Sequence, residues 1–187
     1  MTTIYTTQNS LLLENLLKFY KENNRLETML GIINGESKIS LRIVDWFATN
    51  YAKQYFIVYN IKKGDNMERF NVYMDYKLKL RAYSKRRFDP FCRWDRITIP
   101  YDTNKQVQTT IGQLNFFKWA LENKIIQYIE EHFEKIESDM NKRNSTSKNK
   151  VNNEVSNNKT RKKREELSVS AIKTVKKEVV EIIVKFD

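Results

Sequence analysis

The residue types best suited to chemistry are concentrated in one stretch, YKLKLRAYSKRRFDPFCRW, at residues 76–94. Its main cations are Lys77, Arg81, Lys85, Arg86 and Arg87. The first three recur at four-residue steps, which predicts that they share one face of a helix. A row of cations suits a phosphate backbone, because each neutralised phosphate releases counterions. These five residues form the candidate nucleic-acid-binding site.

Aromatic side chains are interleaved with these cations, and two interpretations are open. The rings are Tyr76, Tyr83, Phe88, Phe91 and Trp94. They could stack on unpaired bases, or they could belong to the core. We favour the core, because Tyr73, Met74 and Leu80 continue an apolar pattern at helical spacing. The stretch is then a helix with its rings inward and its charge outward.

A second basic cluster lies in a polar tail, at Arg161, Lys162, Lys163 and Arg164. It is typical of nuclear import signals and of non-specific nucleic-acid contacts. It is equally typical of a charge run that keeps a tail soluble. We include these four residues in the candidate site as an auxiliary arm.

Residues suited to catalysis or metal binding are present but poorly placed. The carboxylates within the predicted core are Asp45, Asp75, Asp89 and Asp95. No two of these carboxylates have a spacing that indicates acid–base catalysis or a Mg²⁺ site. The arginines near them in the sequence favour ion pairs with these carboxylates instead. One cysteine, Cys92, and one histidine, His132, cannot build a four-ligand zinc site. We expect Cys92 to be buried and His132 to lie on a helix surface. The sequence therefore predicts a non-enzymatic protein with no catalytic site, metal or cofactor.

The charge balance favours a polyanionic partner. Lys and Arg number 34 against 23 Asp and Glu, for a net charge of +11 over 187 residues. Nucleic acid is the first candidate and an anionic membrane surface the second. The amino-terminal segment lacks the pattern of a signal peptide, and no run of eighteen apolar residues occurs. We expect no membrane insertion.

Helical periodicity dominates the first half of the chain, and glycine and proline are scarce. Asn9 or Ser10 begins a predicted helix to about Leu30, and Ser40 caps a second, SLRIVDWFATNYAKQY. The following FIVYNI fits either a strand or the end of that helix. Residues 62–66 form a turn, and a third helix is predicted from Met67 to about Arg87.

The second half begins with a short strand, RITIPY, which Pro100 is expected to close. Thr110 and Gln113 fit a capping box at the start of a helix that fades near Met140 and bends or splits at 123–124. A segment poor in apolar residues follows and is predicted to be disordered. The final VVEIIVKF, residues 179–186, has high strand propensity. It would return to an open sheet edge or pair with another chain.

These elements predict a mainly α fold, with three or four helices around an aromatic core and one or two short strands. The predicted divisions are an amino-terminal helix (1–36), a helical core domain (37–140), a disordered Asn/Lys-rich linker (141–167) and a strand-forming tail (168–187).

Four segments of the sequence are distinctive when taken together: RIVDWFATNYAK, FNVYMDYKLKLRAYSKRRFDPFCR, TTIGQLNFFKWALEN and the closing TRKKREELSVSAIKTVKKEVVEIIVKF. Together they resemble a largely uncharacterised family of short basic proteins from nucleocytoplasmic large DNA viruses, the giant viruses. The resemblance contains no catalytic motif and implies no residue roles. It implies a viral protein in the host-cell cytoplasm, at a viral factory, or in the nucleus, with the virion as a further location.

Two functions follow as hypotheses. The first is a non-enzymatic viral nucleic-acid-binding or transcription-associated protein, which contacts viral DNA or RNA through the basic helix and has the transcription machinery as a further partner. The alternative is a minor capsid or virion adaptor, which docks onto capsid proteins through its carboxy-terminal strand.

Overall fold

Helices dominate the computed structural model, which describes residues 8–92, 96–102, 105–151 and 176–179. Helix α3 begins as Leu41–Trp46 and continues through a π-helical turn, Phe47–Tyr51, into Ala52–Gln54. The other helices are α1 (Gln8–Tyr20), α2 (Arg25–Asn34), α4 (Val72–Arg87), α5 (Ile111–Glu122), α6 (Ile125–Glu131) and α7 (Phe133–Val151). The predicted mainly α fold is confirmed.

The first predicted helix is two helices. Asn23 and Asn24 adopt left-handed conformations, with φ of 54° and 53°, and this ends α1 before α2 begins. Asparagine tolerates this conformation better than other residues with a Cβ, because its short polar side chain bonds locally. Helical spacing continues on both sides of the break, so periodicity alone does not detect it.

A β-hairpin precedes α4. Strand β1 (Val58–Lys63) pairs antiparallel with β2 (Asn66–Asn71) across a turn in which Gly64 has a φ of 61°. The turn is as predicted, and the undecided segment FIVYNI supplies β1. The prediction that a helix begins at Met67 is wrong, because residues 67–71 are strand. The helix begins after Asn71, whose side chain accepts a hydrogen bond of 3.0 Å from the Met74 N–H.

The second sheet has the strand order β3–β4–β5, all antiparallel. Its strands are β3 (Arg96–Asp102), β4 (Lys105–Thr110) and β5 (Lys176–Val179). Pro100 does not close β3, which continues to Asp102 with an irregular register there. An edge strand tolerates proline because one side of it needs no N–H donor. Strand β5 lies on the free side of β4, so this part of the tail pairs with its own chain. Residues 180–186 of the predicted strand lie outside the described residues.

The core is centred on α5, which packs against α1, α4 and α6. Leu114, Phe116 and Phe117 of this helix are fully buried. Lys124, with a φ of 56°, separates α5 from α6, which confirms the predicted split. Helix α7 does not end near Met140, as the sequence pattern predicted, but continues to Val151, so residues 141–151 of the predicted disordered linker are helical. Residues 152–167 of that linker lie outside the described residues. None of the helices described in the structure has the length and apolarity needed to cross a bilayer.

Candidate nucleic-acid interface

Helix α4 carries the five candidate cations, but it is interrupted. Ser84 has φ 61° and ψ 167°, which are not helical angles. Lys77 and Arg81 precede the interruption and share one exposed face, whereas Lys85 follows it. The predicted row of three cations on one continuous face therefore ends at Arg81.

The cations on α4 are largely open to solvent. Lys77, Arg81, Lys85 and Arg86 are exposed and Arg87 is half-buried. Among the described residues, Lys77, Arg81 and Lys85 have no ion-pair partner. Arg87 donates to Gln8 Oε1 at 3.4 Å, which is a neutral partner. The positive charges of Lys77, Arg81 and Lys85 are therefore not neutralised by carboxylates of the described residues.

The end of α4 is fixed to the first turn of α5 by side chains that bond its backbone. Asn115 Nδ2 donates to the Arg87 backbone oxygen at 2.9 Å, and Gln113 Nε2 donates to that of Pro90 at 3.1 Å. The Cys92 thiol donates to the Arg86 oxygen at 3.3 Å. These bonds hold residues 86–92, with the arginines at their start, in one position relative to the core.

Gly112 allows this close approach. A Cβ at this position would lie 2.9 Å from the Cys92 Cβ and 3.1 Å from the Arg86 backbone oxygen. Contacts that short require a backbone shift, so the packing of residues 86–92 against α5 depends on glycine here.

The start of α5 shows the first bond of the predicted capping box. Thr110 Oγ1 accepts from the Gln113 N–H at 3.2 Å, as predicted. The Gln113 side chain also bonds residues before the helix: its Nε2 donates to the Pro90 backbone oxygen at 3.1 Å, and its Oε1 accepts from Thr109 Oγ1 at 3.1 Å. Sequence reasoning missed this role of Gln113 and Asn115. The available signal was two amide side chains among the apolar residues of the buried helix.

The rings of the basic stretch lie largely in the core. Tyr76 and Phe88 are buried, and Tyr83 and Phe91 are half-buried. Phe88 stacks on Tyr83, with 6.1 Å between ring centroids, and meets Phe116 edge-on. The interpretation that these rings point inward is confirmed for the buried pair, and Trp94 lies outside the described residues.

The residues considered for catalysis have structural partners. Asp75 Oδ1 accepts from Trp119 Nε1 at 2.6 Å, and Asp89 Oδ1 accepts from the Phe91 N–H at 2.8 Å. Among the described residues, no arginine forms an ion pair with either of these two carboxylates. Cys92 is buried, as predicted. Across the described residues, no three His, Cys, Asp or Glu side chains are grouped as metal ligands.

His132 is not the surface helix residue that the sequence predicted. It follows α6, is half-buried, and stacks on Tyr128 with 4.2 Å between ring centroids. Its Nδ1 lies 3.0 Å from the Tyr128 backbone oxygen. Asp95 and the basic cluster Arg161–Arg164 lie outside the described residues.

The opposite side of α4 lines a cleft that sequence reasoning did not find. The cleft has a volume of about 580 Å³ and is formed by α1, β1, α4 and α5. Lys79 and Tyr83 of α4 line it, two and six residues from Lys77 along the chain. At 100° per residue, Lys79 lies about 160° around the helix from Lys77, so the cleft and the exposed basic face are separate surfaces.

Comparison with known families resolves the resemblance seen in the sequence. The model of a family of unknown function matches residues 2–186, nearly the whole chain. The chain belongs to that family, DUF7197. This DUF7197 chain is 46% identical over 153 residues to "Uncharacterized protein L507" of Acanthamoeba polyphaga mimivirus. The match covers 78% of the DUF7197 chain and 58% of the mimivirus protein, so the chain spans little more than half of that relative.

The expected membership in a giant-virus protein family is thereby confirmed. No solved structure matches this DUF7197 protein. Its function therefore has to be argued from its own geometry.

Proposed function

We propose that this DUF7197 protein is a non-enzymatic viral nucleic-acid-binding protein whose α4 contacts phosphates. The observation that carries the proposal is the exposed charge of Lys77, Arg81 and Lys85, which have no ion-pair partner in the described part of the chain and lie on a helix anchored to the core. Arg86 and Arg87 extend the contact, and the tail cluster Arg161–Arg164 acts as an auxiliary arm. A rigid base for the cations lowers the entropy lost when they are ordered against a polyanion.

The proposed contacts are to the backbone, so the binding is largely independent of sequence. Phosphate contacts fix orientation but carry no base information. The net charge of +11 adds long-range attraction and raises the association rate at low salt. We place the protein where viral DNA or RNA is handled, in a viral factory or the nucleus, with the transcription machinery as a further partner.

The test is charge reversal with a matched control. The variant K77E/R81E/K85E and the control K21E/K124E/K135E each lower the net charge from +11 to +5, since each replacement removes two positive charges. Lys21, Lys124 and Lys135 are also exposed and have no ion-pair partner among the described residues, but they are scattered over the fold. Affinity is measured for duplex and single-stranded DNA and RNA by fluorescence anisotropy.

We expect the α4 variant to lose at least about tenfold in affinity, or 1.4 kcal/mol, and the control to lose much less. An equal loss in both variants would assign the binding to net charge alone. No binding by the wild type in dilute buffer would reject the proposal.

A second candidate is the virion adaptor, which one observation favours. Strand β5 joins the edge of β4 through backbone pairing, from Gln108↔Lys176 to Lys105↔Val179. The same pairing with a neighbouring subunit would be strand addition. Deletion of residues 168–187 would then remove the protein from purified virions, while K77E/R81E/K85E would leave it there.

A further inference from the structure

The exposed face of α4 carries an apolar row beside a cationic row. Met74 and Leu78 form the apolar row and are 57% and 61% exposed. Lys77 and Arg81 form the cationic row, and both are exposed. At 100° per residue, the two members of each row are about 40° apart, and the rows are about 60° apart around the helix. A partner that binds this face therefore meets apolar and charged side chains together.

The cationic row continues beyond α4 to the end of α3. The ammonium groups of Lys53 and Lys77 lie 5.7 and 6.0 Å from the centroid of the same Tyr73 ring. Tyr73 is about 40° from Lys77 around α4 and about 100° from Met74, so Lys53 lies on the cationic side of the helix. Lys53 is exposed and has no ion-pair partner among the described residues. It was not among the cations that the sequence singled out.

An exposed aromatic ring lies where α4 begins. Phe56 is 79% exposed, and its φ of 48° is in the left-handed region, which is uncommon for a residue with a Cβ. The backbone around it is fixed, because the Ile57 N–H donates to the Ala52 oxygen at 3.2 Å and the Ile57 oxygen accepts from the Val72 N–H at 3.2 Å. The second bond joins this turn to the first residue of α4. The ring is thus displayed at the amino-terminal end of the helix, three residues after Lys53.

We infer that this surface binds an unpaired nucleic-acid strand. Its phosphates lie along Lys53, Lys77 and Arg81. One base stacks on Phe56, and neighbouring bases contact the apolar row. An unpaired strand offers phosphates and free base faces together, whereas a duplex keeps its base faces stacked, so the unpaired strand satisfies both rows. The inference rests on the proposed phosphate contacts of α4 and adds base contacts to them.

An anionic membrane also combines negative charge with apolar groups, but the charges around the apolar row disfavour it. A helix that lies on such a membrane immerses its apolar face, so cations at both borders of that face are favourable. Lys77 and Arg81 border the apolar row on one side, whereas the neighbouring positions on the other side are Ala82 and Asp75. Phosphates on one side of a row of bases match this one-sided arrangement.

The test compares an oligothymidylate with an abasic strand of the same length, about 12 nucleotides. The two strands carry the same phosphates, and only the first carries bases. We expect the full chain to bind the oligothymidylate at least about fivefold more tightly, as measured by fluorescence anisotropy. Equal affinities would overturn this inference and leave the phosphate contacts intact. No binding of either strand in dilute buffer would reject the proposed function as well.

The base contact is tested with Phe56→Asn, which removes the ring and keeps a residue that tolerates the left-handed conformation. We expect the preference for the oligothymidylate over the abasic strand to fall at least about threefold. The matched control is Leu11→Asn, which removes another exposed apolar side chain, on α1, and should leave the preference unchanged. Urea unfolding verifies that both variants are folded. An unchanged preference in folded Phe56→Asn would overturn the inference.

The added phosphate contact is tested with Lys53→Glu, which should weaken both strands at least about threefold and leave the preference between them unchanged. Lys21→Glu makes the same charge change at an exposed lysine after α1 and should weaken them much less. Equal losses in the two variants would remove Lys53 from the site. Vesicles of phosphatidylcholine and phosphatidylserine test the membrane alternative. Vesicle binding that is lost in Phe56→Asn, together with equal affinity for the two strands, would overturn the inference in favour of a membrane.

Discussion

Asn115 Nδ2 donates a hydrogen bond of 2.9 Å to the backbone oxygen of Arg87, 28 residues earlier in the chain. This contact joins the last residue of the basic helix to the centre of the core, because Asn115 lies between fully buried Leu114 and Phe116. The positions of the arginines at the end of α4 therefore depend on a side chain of α5.

Asn115→Ala should lower the free energy of unfolding by about 1–3 kcal/mol, because the partly buried Arg87 carbonyl loses its donor. The matched control is Asn50→Ala, whose exposed amide donates to the neighbouring Thr49 hydroxyl at 2.8 Å. Its effect should stay within about 0.5 kcal/mol. Urea unfolding of both variants measures the difference. Equal stabilities would show that the hydrogen bond from Asn115 to the Arg87 backbone oxygen does not stabilise the fold.

Gly112→Ala should be destabilising by about 1–3 kcal/mol, because the new methyl group would overlap the Cys92 Cβ at 2.9 Å and two backbone oxygens. Gly31→Ala is the control of opposite sign. A Cβ at Gly31, within α2, meets nothing within 4 Å, so alanine should stabilise the protein by about 0.5–1 kcal/mol. Thermal unfolding of the pair checks this, and a stable Gly112→Ala protein would contradict the close packing of residues 86–92.

Ser84→Gly should stabilise the protein by about 1 kcal/mol. Ser84 holds φ 61° and ψ 167°, a region that is costly for any residue with a Cβ. Ser138→Gly is the control, since Ser138 is an exposed position within α7, where glycine should cost up to about 1 kcal/mol. Chemical denaturation should give opposite signs, whereas a loss at both positions would indicate a regular helix at Ser84.

Stability should fall in alkaline solution because of buried tyrosines. Tyr20 donates to the Leu114 backbone oxygen at 2.7 Å, and burial followed by the Glu122 charge raises its pKa well above the ordinary 10.0. A pKa raised on folding stabilises the protein below the unfolded pKa, and this contribution declines as the pH rises above about 10. Burial and Tyr128 also raise the pKa of Tyr59.

Urea midpoints measured from about pH 8 to pH 12 should therefore decrease above pH 10. Tyr20→Phe should be less stable at pH 8 but should show a shallower alkaline decline. An identical decline in Tyr20→Phe would assign the effect to other groups.

Local signals predicted the elements that depend on local chemistry. Ser40 caps α3 and Thr110 caps α5, each through a bond to the backbone three residues later. The turn at Gly64 and the split at Lys124 also follow from local residue types. These caps, turns and breaks are determined by residues close to them in the sequence, so they can be predicted without the rest of the fold.

Pairing and long-range contacts explain the remaining errors. Residues 67–71 are strand because β1 supplies their backbone partners. The helical spacing of the residues in α4 led to the prediction that the helix begins at Met67. The break at Ser84 is held in place by bonds from Gln113 and Asn115 to the segment that follows it. Those partners are 23 and 28 residues away from the backbone they bond. The cleft likewise joins four elements, so no sequence spacing indicates it.

The most direct test of phosphate binding by α4 is the salt dependence of affinity. Duplex DNA binding by the wild type and by K77E/R81E/K85E is measured between about 50 and 200 mM salt, where each phosphate contact adds about 0.9 to the slope of log K against log salt. We predict a steep wild-type slope that becomes shallower by about 2–3 in the variant, while K21E/K124E/K135E keeps most of it. Equal slopes in wild type and the α4 variant would show that these cations do not contact phosphates.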